Sequence, residues 1–317
     1  MTTIDWFILS GSLVFIVLYG VWKGRGSENI KDYILANKSM PWFTIGLSIM
    51  ATQASAITFI SAPGQAYEDG MRFIQIYFGL PVAMVIICAL VVPVYHRLNV
   101  YTAYEYLESR FDLKVRGLAA FLFLVSRGIA AGLTIYAPSL ILSAILGWNI
   151  YLTNLIMGGL VIIYTVAGGT RAVSHTHLLQ MGIIMGGMII VFFVIIFSIP
   201  SDITFIESVK VAGKMGKLNT IDLSFDITNK YNIWSGLIGG LFLSLAYFGT
   251  DQSQVQRYLS GRSVAESRFG LLFNAFVKIP MQFFILFLGI MVFVFYLFEK
   301  PPVFFNSVEI NKIHNSR

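Results

Sequence analysis

Met50-Ala-Thr-Gln-Ala-Ser-Ala-Ile-Thr-Phe-Ile-Ser-Ala-Pro-Gly-Gln65 decides how this chain is read. It sits inside an apolar run, yet it carries Thr52, Gln53, Ser55, Thr58 and Ser61 and ends in Pro63-Gly64. An unsatisfied polar or backbone group in hydrocarbon costs several kcal/mol, so polar residues at such a place mark function. A second stretch, Trp234 to Gln252, breaks its apolar pattern with Gly236, Gly239, Gly240, Ser244 and Gly249. Glycine and serine alone also serve close helix packing. Gln53 beside four hydroxyls and a Pro-Gly pair turns the reading toward an interrupted helix that lines a polar site.

Outward from these stretches the chain is apolar almost throughout. Hydrophobic residues make up 56% and charged residues 12%, and mean hydropathy is +0.75, far from the balance of a water-soluble domain. A hydrocarbon core about 30 Å thick takes roughly 20 apolar residues in a helix. Runs of that kind lie at about 5–22, 42–66, 74–95, 117–147, 149–166, 175–199, 233–256 and 269–298. The expectation is an all-α, polytopic protein of about eight membrane helices in one domain, 1–317, with the lipid bilayer as solvent. Asp5 stands where a signal peptide has its basic segment, so the first run reads as a retained helix.

The formal charge of +6 forms no patch interleaved with aromatics, which argues against nucleic acid. Lys23, Arg25, Lys31, Lys38, Arg97, Arg110, Lys114, Arg116, Arg171, Arg257, Arg262 and Arg268 fall on alternate connections, and the short connection after the second run carries only Arg72. By the positive-inside rule the N-terminus lies outside, extracellular or periplasmic, in a plasma or inner membrane. In the long connection from about 200 to 232, Lys210, Lys214, Lys217 and Lys230 are matched by Asp202, Glu207, Asp222 and Asp226. Cys88 is the single cysteine, which excludes an internal disulfide and a zinc-thiolate site.

Four helices separate the two broken stretches, which places them first in two five-helix units: 42–199 as one repeat and 233–298 as the start of another, after an extra helix at 5–22. Paired interruptions of that kind point to an inverted-repeat secondary transporter with its site at the midplane. Freed carbonyls and hydroxyls can ligate a sodium ion without a buried counter-charge. Arg127, about ten residues into the fourth run, needs a partner. Either it faces the cavity and binds an anionic group of the solute such as a carboxylate, or it snorkels to the inner surface. Lys278, beside Pro280, poses the same choice. His175 and His177, two apart, cannot share a metal on one helix face, and His177 reads as a satisfied polar residue or a proton site. Gly168-Gly169-Thr170-Arg171 is a tight inner turn, and no P-loop, HExxH or nucleophile–base arrangement suggests an enzyme.

At these residues the chain resembles the sodium:solute symporter family, with its sodium/glucose, sodium/proline, sodium/iodide and sialic acid symporters. The resemblance rests on Lys31-Asp-Tyr-Ile-Leu-Ala-Asn-Lys-Ser-Met-Pro-Trp42, Ala51 to Ser61, Tyr101-Thr-Ala-Tyr-Glu-Tyr-Leu-Glu-Ser-Arg-Phe111, Ile135-Tyr-Ala-Pro-Ser-Leu140, Tyr164-Thr-Val-Ala-Gly-Gly169 and Thr250-Asp-Gln-Ser-Gln-Val-Gln-Arg257. It implies a LeuT-like inverted-repeat core and symport of a small polar or carboxylated solute by alternating access, with Na+ as the co-transported ion and no organic cofactor. The backbone carbonyls of Ala51 and Ala54 match half of the main sodium site. Gln53, Ser55, Thr58, Tyr77, Ser244 and Lys278 match solute-contacting positions, and Tyr247 the inner gate. His177 stands where the family often has an aspartate that supports ion coupling, which puts a second sodium in doubt. The chain stops at Arg317 after the seventh core helix, so the expected fold is C-terminally incomplete and the hydroxyl half of the sodium site is missing. A sensor domain of the same fold joined to a signalling module, or a fragment that does not transport, are the alternatives.

Overall fold

A computed structural model describes residues 3–24, 29–200, 203–226 and 228–299; Arg25 and Asp202, counted among the loop charges above, lie outside them. The described residues are helical apart from turns and one isolated bridge between Met40 and Gly261. The helices are α1 (Thr3–Gly24), α2 (Ile30–Leu35), α3 (Trp42–Gln53), α4 (Ala56–Asp69), α5 (Gly79–Ile86), α6 (Val92–Leu98), α7 (Ala103–Arg110), α8 (Leu113–Leu146), α9 (Ile150–Ser198), α10 (Phe205–Lys214), α11 (Gly240–Thr250), α12 (Gln252–Leu259) and α13 (Val264–Phe298). A 3₁₀ stretch (Gly70–Phe78) precedes α5, and π-helical turns interrupt at Ile87–Val91 and Ser235–Gly239.

Local chemistry sets the boundaries. The side chains of Asp112, Asn149 and Ser263 accept hydrogen bonds from the backbone of Val115, Tyr151 and Glu266 and so cap α8, α9 and α13. Thr204 and Glu207 form a capping box on α10. Glycine closes α8, where Gly147 has φ +68°. The tight turn expected at 168–171 is a kink inside α9 at Gly169 (φ +57°, ψ −156°), a conformation that L side chains rarely adopt.

Among the described residues, five helical stretches are long and apolar enough to cross a membrane, namely Thr3–Gly24, Thr58–Leu98, Leu113–Ala144, Gly169–Ser198 and Val264–Phe298, with shorter apolar helices at Ile150–Ile163 and Ser235–Thr250. Seven of the eight apolar runs fall mainly on these stretches, and the run at 42–66 divides between α3 and the start of Thr58–Leu98. Large apolar side chains stand outward on α1 and α8, for example Phe7, Leu18, Leu118, Phe121 and Leu133, as expected where lipid rather than water is the solvent. This is a multi-pass membrane protein.

The core lies where α13 runs parallel to α3 and α4. Backbones meet at two levels: a Cβ on Gly270 would lie 2.7 Å from Ile45 Cγ2, and one on Gly289 would lie 2.6 Å from both Cα and the carbonyl carbon of Pro63. Tyr67 and Phe293 continue the register, ring centroids 5.4 Å apart. With Gly270 level with Ile45 and Gly289 level with Pro63, Lys278 lies level with about residue 53.

Candidate functional site

The interruption of the first broken stretch is at Ala54 and Ser55, not at Pro63-Gly64. Ala54 (φ −91°, ψ 80°) ends α3, and extended Ser55 (φ −96°, ψ 168°) begins α4. Pro63 lies inside α4, where losing one backbone hydrogen bond is tolerated in a packed membrane helix. Hydrogen bonds stitch the break. Ala54 N–H donates to the Ala51 carbonyl at 3.0 Å, and the Thr58 hydroxyl donates to the Gln53 carbonyl at 2.9 Å. Thr52 folds back on Ser48 at 2.7 Å, while the Ser55 hydroxyl makes no capping bond. Residues 48–50 are buried and residues 51–55 half-buried. At this point the carbonyl end of α3, carrying partial negative charge, faces the amide end of α4, carrying partial positive charge.

Facing the break, α13 presents Asn274, Lys278 and Gln282, each at most 1% exposed. Spaced by four, they share one helix face. The Lys278 ammonium lies 5.9 Å from the centroid of the Tyr77 ring, a cation–π contact across to the 3₁₀ stretch. Both amide atoms of Asn274 and both of Gln282 are buried without a hydrogen-bond partner, a cost of about 1–3 kcal/mol for each unpaired group. His177, on the second half of α9, brings Nδ1 to 3.4 Å from the Ser48 hydroxyl, one turn before Ala51. Ala51, Gln53, Ala54, Ser55 and Thr58 thus lie at the break, His177 is bonded to α3 through Ser48, and Lys278 meets Tyr77.

The second broken stretch is different. It carries a π turn at Ser235–Gly239, and α11 then runs unbroken to Thr250, where extended Asp251 (φ −75°, ψ 115°) separates it from α12. Its glycines serve close packing: a Cβ on Gly236 would lie 2.6 Å from the Gln75 carbonyl carbon, and Gly240 presses on the Ile76 carbonyl. Ser244 is half-buried on α11, which packs on α5 and on 70–78, the stretch that carries Tyr77.

Arg127 also departs from the expectation of a solute partner. Its partner is the Asp251 carboxylate, and its guanidinium lies 5.7 Å from the Tyr247 ring centroid. Arg127 lies 14 residues, about 21 Å, from the start of α8 and close to its middle, and a charge at that depth is met by a carboxylate on another helix. Gln254 donates to the Tyr247 hydroxyl at 2.7 Å, which makes Arg127, Tyr247, Asp251 and Gln254 one cluster at the junction of α11 and α12.

Helix α12 is the hub of this end of the bundle. The Gln252 side chain accepts from Ala103 N–H at 2.9 Å, and Gln256 donates to the Ile34 carbonyl at 2.7 Å and to the Thr170 hydroxyl at 2.6 Å. The Tyr95 hydroxyl donates to the Gly249 carbonyl at 3.0 Å. At the opposite end, Lys217 donates to the Tyr67 carbonyl at 2.8 Å, and Gln75 ties down the connection through Tyr231 and Asp222 at 2.9 and 3.1 Å. Hydrogen bonds from Ser224 hold the Asp222 carboxyl below the usual carboxylate range, and bonds from Thr228 do the same for Asp226.

Sequence reasoning missed Asp251 and the glutamines of α12, although three glutamines within five residues at the end of an apolar run were a visible signal. Asn274 and Gln282 were equally visible as polar residues one turn either side of Lys278.

The sodium:solute symporter family profile matches residues 33–313. The rabbit (Oryctolagus cuniculus) sodium-dependent multivitamin transporter is 31% identical over 272 residues, 82% of this chain and 41% of that protein. The human (Homo sapiens) sodium/iodide cotransporter is 29% identical over 282 residues, 87% of this chain and 43% of its own length. A solved structure of a Na+-coupled sialic acid symporter, in a substrate-bound outward-open state, superimposes with a TM-score of 0.87 at 28% identity and covers 98% of this chain and 65% of that one. The chain thus spans less than half the length of the curated relatives it matches.

Proposed function

Since this chain belongs to the sodium:solute symporter family, we propose that it forms the solute-binding part of a sodium-coupled symporter, moving a small polar or carboxylated solute by alternating access. The observation that carries this reading is the half-buried break at Ala54–Ser55 with the Lys278 ammonium at its level. Ala51 and Ala54, at the carbonyl end of α3, contribute oxygens to sodium; Ala51 keeps a lone pair beyond the one its turn uses. Gln53, Ser55 and Thr58 lie toward the amide end of α4, with Tyr77 and Lys278 opposite, and meet the solute.

The Arg127–Asp251 pair and the Tyr247–Gln254 bond close the end of α11 and act as the gate. Arg127 is assigned there and not to the solute. With the basic connections inside, this end is cytoplasmic and the N-terminus is outside. Ser244 lies three residues, about one turn, before the gate tyrosine on α11 and lines the cavity above it. His177, bonded to the helix that bears the sodium carbonyls, occupies the coupling position.

Uptake of labelled solute by proteoliposomes of the full-length protein tests the reading. A sodium gradient is expected to drive accumulation that an equal potassium gradient does not, and Ala54→Pro, which alters the break, is expected to abolish it. Uptake indifferent to sodium refutes the coupling.

A further inference from the structure

We propose that Lys23, Arg171 and His175 form a binding site for the phosphate of an anionic phospholipid, at the membrane surface where the end of α1 meets the kink of α9. The proposal is independent of the symport reading.

Depth places these residues at the headgroups. Helix α1 has 22 residues, about 33 Å at 1.5 Å per residue, enough to cross a core of about 30 Å. Lys23 is in its last turn. Arg171 opens the stretch Gly169–Ser198, itself long enough to span, and His175 follows four residues later on the same helix face. Lys23 and Arg171 are the two charged neighbours that act on His175, so two helices bring three nitrogen-bearing side chains to one corner. The buried residues of α1 are Gly20 and Gly24, small enough to let its end lie close on α9.

The protein's own acids do not complete this corner. The Lys23 ammonium rests on the rings of Trp22 and Tyr19, 4.5 and 6.0 Å from their centroids, contacts with ring faces that leave its N–H donors available to an oxyanion. Arg171 is exposed and has no ion pair among the described residues. Other acids at this end of the bundle are engaged: Glu105 and Glu108 by Arg116, Asp251 by Arg127, Asp112 by the cap of α8, and Glu266 by the Trp42 amide. Among the described residues that leaves Asp32 of α2, one negative charge against two positive.

Position selects a lipid over a soluble anion. Trp22 is 59% exposed, and Tyr33 is held at the α9 kink by its bond to the Val166 carbonyl at 3.2 Å; amphipathic rings of this kind sit at headgroup level. A guanidinium takes phosphate oxygens in pairs and an ammonium takes them as a point charge. The acyl chains of the same molecule can lie along the outward apolar face of α1 at Phe15 and Leu18, which offers a free phosphate nothing. Arg171 adjoins Thr170, which accepts the Gln256 bond of the hub, so a lipid held there braces the α12 end of the bundle.

Native mass spectrometry of the full-length protein, delipidated in detergent and titrated with phosphatidylglycerol or phosphatidylcholine, counts the bound lipid. The wild type is expected to retain one phosphatidylglycerol at concentrations where phosphatidylcholine is not retained. Lys23→Gln combined with Arg171→Gln is expected to raise the half-saturating phosphatidylglycerol about tenfold or more, since each surface cation adds to the attraction. Arg97→Gln combined with Arg110→Gln removes the same charge from exposed positions on α6 and α7 and is expected to bind as the wild type does. Lys23→Gln alone is expected to weaken retention several-fold, and it decides the matter where the double variant does not fold. Equal retention of the two lipids overturns the proposal, as does unchanged retention in Lys23→Gln. An equal loss in the Arg97 and Arg110 variant would reduce the effect to bulk surface charge and overturn it too. So would full displacement of the lipid by excess inorganic phosphate, which would make this a site for a soluble anion.

Discussion

Gly289→Ala probes the contact that holds the site together. Helices α13 and α4 touch backbone to backbone there, and an added Cβ would lie 2.6 Å from two carbon atoms of Pro63 and nearer still to its carbonyl oxygen. Carbon atoms sit comfortably about 3.5–4.0 Å apart, so the helices must part by about 1 Å. Neither partner is a flexible side chain that can swing away. Overpacking of this kind costs about 1–3 kcal/mol, and the alanine regains up to about 1 kcal/mol of helix propensity. A control lies close by: a Cβ on Gly64 would meet nothing within 4 Å, and Gly64→Ala gains the propensity alone. The two variants should therefore differ by about 2 kcal/mol, with Gly289→Ala below the wild type and Gly64→Ala at or above it. Thermal melting of the full-length protein in detergent measures this. Lys278 lies three turns before Gly289 on the same face, so solute half-saturation should rise in Gly289→Ala and stay unchanged in Gly64→Ala. Equal melting temperatures for the two alanine variants would refute the register on which the site is built.

The gate and the hub give two further tests. Asp251→Asn keeps the α12 cap, since asparagine caps as well as aspartate, and removes the charge that Arg127 meets; with Arg127 about a third exposed, stability should change by less than about 1 kcal/mol. Uptake should nevertheless fall several-fold, and Arg127→Gln combined with Asp251→Asn should lose no more than either alone; additive losses would separate the two residues. Gln256→Leu deletes two hydrogen bonds, about 1–3 kcal/mol in sum, and should speed amide exchange at Tyr33–Leu35 and around Thr170 while that at Lys217–Asn219 stays unchanged. Unaltered exchange at Thr170 would remove α12 from its role as hub.

What the sequence made legible divides along a physical line. Polarity in an apolar run is a local cost, visible without knowing any neighbour, and it located the stretch that holds the break, although the chain opens at Ala54–Ser55 and not at Pro63-Gly64. The identity of partners is not local. Arg127 demanded a partner, but nothing within one turn of it hinted at Asp251, 124 positions away, and the sequence left a solute anion and the inner surface as the two choices. Glycine is the harder case, because one residue type serves two opposite purposes. At Gly169 a positive φ lets the chain turn, whereas at Gly236 and Gly240 an intact helix needs room for a neighbour's carbonyl. Composition alone cannot separate an unwound helix from a closely packed one; companions can. Gln53 and Thr58 beside Ala54 have side chains that close a break by bonding to freed or terminal carbonyls, and no side-chain amide lies among Gly236, Gly239 and Gly240. The same test applied to α13 picks out Asn274 and Gln282, since an amide in the membrane with no local carbonyl to bond must find its partner elsewhere.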